Sequence, residues 1–274
     1  MLPNWPAMTQ AERDAAYNNN AAVADSPALI EARNAASKVY RAANAGALDV
    51  AYGAAPRQKW DLYPAKSADA PCLVFIHGGY WQRNSREDFA CYAEGIRAHG
   101  WACAMPSHTL GPDATLTAIV AEIHSALDCL SGNGRQHGIA GGKIVLSGWS
   151  AGGHLTATAL SHPAVTAGLA MSGVYELEPI RQTGLNDKLN LTADEVARLS
   201  PLRLPVVQKP MAVAYGTREL LALIADSRDL HAKRAAAHAP GPLIPITGAD
   251  HFTILDELRR PDGQLVAAAR ALIA

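Results

Sequence analysis

Apolar residues in this chain gather in short unbroken runs, set apart by polar stretches rich in Gly and Pro. Six such runs read as strands: Cys72–Ile76, Trp101–Met105, residues 143–147, Val165–Met171, Met211–Tyr215 and Leu243–Ile246. Runs of this length without alternation suit strands covered on both faces, as in a parallel sheet. A different period lies between them. Leu116, Ile119, Val120, Ile123, Leu127 and Leu130 recur at intervals of three and four, which predicts one buried helical stripe, with the helix starting at Pro112-Asp113. Ser85 is expected to cap a helix that runs to Ala98 and is ended by Gly100. Further helices are expected over Ser227–Ala237 and Gln264–Ile273. Strands alternating with helices predict an α/β architecture: a mostly parallel twisted sheet, right-handed crossovers, helices on both faces. Asp49–Tyr52 and Trp60–Tyr63 flank a turn containing Gly53 and Pro56, and they predict an antiparallel hairpin at the sheet edge.

Two segments fall outside this alternation. Residues 1–46 read as a helical N-terminal extension. Thr9 with Glu12 makes a capping box, and Ser26-Pro27 reads as an N-cap followed by a first-turn proline. The polar run Tyr17-Asn18-Asn19-Asn20 between these helices reads as a turn, or as the lining of a cleft. Residues 176–209 carry no strand pattern. Glu178-Pro179-Ile180, the capping box Thr192–Glu195 and the stop at Ser200-Pro201 predict a small helical cap over a site, too short for a separate domain. Residues 1–274 are therefore expected to form one domain.

The chemistry centres on Gly148-Trp149-Ser150-Ala151-Gly152, which follows the strand at 143–147 and opens a helix. This is the G-x-S-x-G nucleophile elbow of the α/β-hydrolase fold, expected to hold Ser150 in a strained turn at a strand end. A serine hydroxyl is a poor nucleophile at neutral pH and needs a base, which in turn needs a carboxylate to orient it. In this fold the base lies past the last strand, where His251 stands. His154, His162, His231 and His238 fall on helices or their ends. The acid is expected after Met211–Tyr215, where Glu219 leads and Asp226, Asp229 and Asp250 are the alternatives. Asp226 reads as a helix cap and Asp229 as part of a solvated face. His77-Gly78-Gly79-Tyr80-Trp81 follows the strand Cys72–Ile76. Its two glycines allow a close backbone approach, so the amides of Gly79 or Tyr80, with that of Ala151, are the expected oxyanion-hole donors. His77 is expected to brace this loop. Trp81, Trp149 and Tyr175 are expected either in the substrate pocket or in the core.

Composition narrows the classes. The formal net charge is -1 and the mixed charge gives no basic patch for nucleic acid. Ten histidines are scattered without H-E-x-x-H or metal-ligand spacing, so neither a metal nor another cofactor is expected. Four cysteines lack a C-x-x-C, and Cys72 and Cys103 read as core residues, which suits a reducing cytoplasm. No signal peptide and no membrane-spanning run is evident. The expected partner is a small-molecule substrate, and homodimerisation stays open.

His77-Gly78-Gly79-Tyr80-Trp81-Gln82, together with Gly148 to Leu155, resembles the kynurenine formamidase (arylformamidase) branch of the α/β-hydrolases. The likeness extends to Tyr17-Asn18, Ser172-Gly173-Val174-Tyr175, Ser200-Pro201-Leu202 and Asp250-His251-Phe252, nearly the whole chain. It implies a cofactor-free serine hydrolase with the triad Ser150, Glu219 and His251, acting on an aryl formamide such as N-formylkynurenine. The alternatives are a short-chain carboxylesterase and, more remotely, a non-catalytic binding protein on this fold. Two positions depart from the pattern: the acid is Glu where animal members have Asp, and Trp149 stands where many relatives have His.

Overall fold

A computed structural model describes residues 5–44, 46–67, 69–139 and 142–274. The start of the N-terminal extension (1–4) and one residue of the expected loop at 66–71 lie outside the described residues. Among the described residues eight strands form one sheet in the order β1-β2-β4-β3-β5-β6-β7-β8. They are β1 (Ala47–Ala51), β2 (Lys59–Tyr63), β3 (Cys72–Ile76), β4 (Ala102–Pro106), β5 (Ile144–Trp149), β6 (Val165–Met171), β7 (Met211–Gly216) and β8 (Leu243–Ile246). The β1–β2 hairpin and its pairing to β4 are antiparallel, and every other pairing is parallel. Strand polarity therefore brings the C-terminal ends of β3, β5, β6, β7 and β8 to one rim.

The pleat divides the core in two. Cys72, Val74 and Ile76 of β3 and Ile144 and Leu146 of β5 face one layer, where they meet the helix Leu116–Asn133 and the elbow helix Ala151–Thr158. Leu73, Phe75 and Val145 face the other, against residues 86–98 and the helix Gln264–Ala271. Because both faces are covered, the central strands β3 to β7 carry no polar face. That is why their runs are continuous rather than alternating. Each large apolar side chain so buried contributes roughly 1.5–3 kcal/mol.

Several boundaries differ from the sequence reading. The helix expected from Pro112 begins at Leu116, where Thr115 is extended (φ -71, ψ 161) and its side chain accepts the Ala118 amide. Threonine satisfies a first-turn donor and proline cannot, so the cap sets the start. Ser85 does form a capping box with Asp88, but the chain runs as a 3-10 helix over Arg86–Tyr92 before the α-helix Ala93–Ala98. The helix expected from Ser227 begins at Leu221, placing Ser227 and Asp226 inside it and buried. Ser26 is not a cap either: its hydroxyl donates to the Asn20 carbonyl at 2.9 Å, while the helix Ser26–Ala43 is preceded by Asp25.

The N-terminal segment is bound to the sheet by polar contacts. Asp61 on β2 is fully buried and accepts from Arg41 at 2.7 Å and Arg86 at 2.9 Å. Ser37 donates to the Asp88 carbonyl at 2.9 Å. Residues 176–209 hold three short helices, Glu178–Arg181, Asn186–Leu189 and Ala193–Leu199. They join the N-terminal segment through Trp5 donating to Gln182 (3.0 Å) and Gly184 donating to Asp14 (2.8 Å).

Candidate active site

Ser150 sits between the end of β5 and the elbow helix with φ 58 and ψ -119, a region that costs a non-glycine residue on the order of 1–3 kcal/mol. The surroundings enforce it. The Ser150 amide donates to Met171 on β6 at 2.8 Å. Gly152 lies so near β3 that an added Cβ would stand 2.0 Å from the Ile76 carbonyl oxygen, so any side chain there would push the elbow apart.

Two loops from the same rim complete the cluster. His251 Nε2 is 3.1 Å from Ser150 Oγ, and His251 Nδ1 is 3.2 Å from Glu219 Oε2. The second Glu219 oxygen accepts from the Gly216 amide and from the Ser172 hydroxyl, each at 2.6 Å. All three residues are buried. Trp149 secures the imidazole from behind: its indole N–H donates to the His251 carbonyl at 2.8 Å and the two rings lie 4.7 Å apart. The sequence places Ser150, Glu219 and His251 far apart along the chain, and the fold brings them within hydrogen-bond distance of one another in series.

Two of the competing acids are engaged elsewhere, and Asp229 is exposed on its helix. Asp250 accepts from the Phe252 and Thr253 amides, shaping the turn that carries His251. Asp226 is no helix cap: it is buried, accepts from the Tyr175 amide at 2.6 Å, and burial pushes its carboxyl up to about 7. Among the competing histidines, His154 bonds the Leu199 carbonyl and His162 meets Asp128.

After β3 the backbone takes three successive positive φ values: 124 at Gly79, 52 at Tyr80 and 57 at Trp81. Among the described residues, the amides of Gly79, Tyr80 and Ala151 donate to no acceptor in the protein. His77 lies beneath this loop, its Nδ1 2.9 Å from the Gly78 carbonyl and its ring stacked 4.9 Å from His108. Asn84 donates to the same carbonyl at 3.1 Å. The Tyr80 phenol is engaged by the N-terminal segment. It donates to the Tyr17 carbonyl and accepts from Asn19, and burial pushes it up to about 12.

A cavity of about 60 Å³ opens beside His251. Gly79, Tyr80, Arg83 and Asn84 form one side, and Trp149, His251 and Phe252 form the base. The facing wall comes from the N-terminal segment: Asn19, Asn20, Ile30 and Arg33. No residue of 176–209 lines it, so the wall beside His251 is not the cap expected there. Those residues instead border a neighbouring space with Asp14, Tyr17 and Asn18. Of the three aromatics expected in the pocket, Trp149 lines it. Trp81 is 1% exposed, edge-on to His154, and Tyr175 is 0% exposed in the core; neither borders this cavity. Their hydrophobic area is satisfied by the elbow helix and the 176–209 helices. Ser172 carries no role in the sequence reading beyond its place in the Ser172-Gly173-Val174-Tyr175 likeness, and Arg33 carries none at all. Ser172 ends β6 as Glu219 follows β7, so strand-end position was an available signal. Arg33 lies on a helix with no motif.

No described group of three or more His, Cys, Asp or Glu is placed to hold a metal ion, and no described helix is long and apolar enough to cross a membrane.

The BD-FAE family matches residues 60–167. A kynurenine formamidase from Danio rerio is 26% identical over 77% of this chain and 76% of its own length. One from Salmo salar is 27% identical over the same shares. Among solved structures, a thioesterase candidate from Silicibacter sp. superposes with a TM-score of 0.85 at 27% identity, covering 94% of this chain and 99% of that one. Esterase B from Lactobacillus rhamnosis gives 0.72 at 21% identity, over 92% and 97%. By fold the chain is an α/β-hydrolase, and by sequence it is similar to the kynurenine formamidase branch of that superfamily.

Proposed function

We propose that the protein is a cofactor-independent serine hydrolase of the arylformamidase type, with Ser150 as nucleophile, His251 as base and Glu219 as its orienting acid. The observation that carries this reading is the unbroken line Ser150 Oγ–His251 Nε2 (3.1 Å) and His251 Nδ1–Glu219 Oε2 (3.2 Å) on a strained elbow. Ser150 attacks the carbonyl carbon as His251 takes its proton. The oxygen acquires negative charge, which the amides of Ala151 and of Gly79 or Tyr80 receive; losing one such donor typically costs about 2.7–4 kcal/mol of barrier. His251 then protonates the departing nitrogen or oxygen. Water, deprotonated by the same imidazole, cleaves the acyl-enzyme. With an aryl formamide the acyl group is formyl, and the products are an arylamine and formate.

A short-chain carboxylesterase is the second reading, favoured by the esterases among the structural relatives, and the same side chains serve it. Ratios of kcat/KM for N-formylkynurenine and p-nitrophenyl acetate separate the two. An active ester with an inert formamide sinks the formamidase assignment. Labelling by a fluorophosphonate, expected at Ser150 and lost in Ser150→Ala, tests the enzyme reading against a non-catalytic binder.

All four cysteines are free, which fits the cytoplasmic location that belongs to this reading. It involves a small-molecule substrate and neither nucleic acid nor a membrane. A homodimer is the assembly to look for by sedimentation.

A further inference from the structure

Most arginines that are buried in this protein are neutralised or bonded to carbonyls. Arg86 meets Asp61 at 2.9 Å, and Arg234 donates to three backbone oxygens. Arg33 is different. It is 8% exposed, and its Nε and Nη2 donate to the amide oxygen of Asn34, which carries no charge, at 3.1 and 2.8 Å. Nη1 has no partner among the described residues, and no carboxylate there lies within ion-pair distance. The guanidinium sits 4.1 Å from the centre of the Phe89 ring, which packs against Trp149 beneath His251. A buried cation without a counterion is costly, and a site tolerates one where an arriving anion completes it.

Arg33 lines the cavity beside His251, and so does Arg83, an exposed residue over the Tyr80 ring whose side chain makes no ion pair among the described residues. Asn19, Asn20 and Asn84 complete the polar lining, and no Asp or Glu contributes to it. A second cavity of about 100 Å³ shares Arg33, Trp149 and Phe252 with the first. Its one carboxylate, Asp256, is raised by burial and lowered by Arg259, and it makes no ion pair with Arg33.

We propose that this cleft selects substrates bearing a negatively charged group, a carboxylate on an aromatic leaving group, with Arg33 as the buried anion-binding residue and Arg83 as its partner at the rim. The inference deepens the hydrolase reading and rests on it for the identity of the scissile bond. It does not depend on whether that bond is a formamide or an ester. Planar bidentate donation by guanidinium suits a carboxylate better than a lysine would.

The test has a turnover arm and a binding arm. In the first, kcat/KM is compared for 3-acetoxybenzoate and its neutral methyl ester. The wild type is expected to favour the carboxylate by about tenfold or more, mainly through KM, with the preference shrinking in 0.5 M salt. Arg33→Gln should bring the ratio toward one, Arg33→Lys should keep part of it, and Arg83→Gln should lower it by less. In the second arm, calorimetry on the wild type compares benzoate with benzamide, which needs no catalysis. Benzoate binding lost in Arg33→Gln supports the proposal even if neither ester is cleaved, an outcome that would overturn only the hydrolase reading. Equal cleavage of both esters with no preference for benzoate overturns the proposal and leaves the hydrolase standing. Should Arg33→Gln fail to fold, the wild-type ratios and Arg83→Gln still decide.

Discussion

The two sides of the cleft are built differently. On one side, Ser150, Glu219 and His251 stand at the ends of buried strands, where backbone contacts at close range dictate their positions. On the other side, Asn19, Asn20 and Arg33 come from a peripheral helical segment tied down by side-chain hydrogen bonds and ion pairs. The proposed reacting groups thus stand at the strand ends of the sheet itself, and the facing wall stands on a segment outside it. On the proposed function, reaction type and substrate choice are therefore expected to be separable. Substitutions on the sheet side should act on kcat, and substitutions on the wall should act on KM.

The sharpest way to break this contrast is Ser150→Ala. It should lower kcat by about 10⁴-fold or more while the thermal midpoint changes little. Retention of activity to within a factor of ten would remove the nucleophile from the sheet side altogether. Glu219→Gln comes next. It leaves the loop in place but weakens the hold on the imidazole, and a loss of roughly 10³–10⁴ in kcat with nearly constant KM is expected from steady-state kinetics. A KM effect of similar size would blur the division.

Acid stability probes the floor beneath both sides. Burial pushes His108, under the loop after β3, and His154, under the 176–209 helices, down to about 4 from 6.5. The neutral ring is favoured in the native state, so the unfolded chain takes up protons first. The stabilisation is complete above pH 6.5 and is withdrawn as pH falls toward 4, on the order of 3 kcal/mol for each ring. Denaturant unfolding between pH 7 and 4 should show this slope, and His154→Gln should flatten it. An unchanged slope in that variant would remove His154 from the account. The smallest effect expected is at the seam where the loop after β3 meets the N-terminal wall. Tyr80→Phe deletes the hydroxyl that joins the Tyr17 carbonyl to Asn19, which should raise KM severalfold and cost about 1 kcal/mol in thermal unfolding. A fall in kcat instead would place Tyr80 with the sheet side.

The same division explains what could be read from the chain. The sheet was legible because unbroken apolar runs have one sensible location, between two covering layers. The elbow was legible because small residues two before and two after Ser150 reflect a close approach of strand and helix. Placing Glu219 and His251 needed only the rule that loops past β7 and β8 share a rim with β5. Contacts with no local pattern were not legible. Asp226 looks like a helix start, but its carboxylate holds the Tyr175 amide, 51 residues away along the chain. Trp81 and Tyr175 follow conspicuous motifs, yet their area is used up by packing. The polar run holding Asn19 and Asn20 did offer cleft lining as one reading, but Arg33 sits in an ordinary helical setting, and only the docking of residues 17–33 onto the rim brings it to the cavity. Helix starts were misread at 112 and 227 because proline and serine signals competed with Thr115 and with tertiary burial.

The indole of Trp149 adds a constraint on engineering. One side chain next to Ser150 grips the main chain of the His251 loop, 102 residues away, so the two turns form a single mechanical unit. Transplanting the segment around His251 into a homologous scaffold would leave that clamp behind unless the tryptophan travelled with it. A directed-evolution library that randomises position 149 to enlarge the cleft should accordingly loosen the alignment of the imidazole before it gains any room for a bulkier substrate.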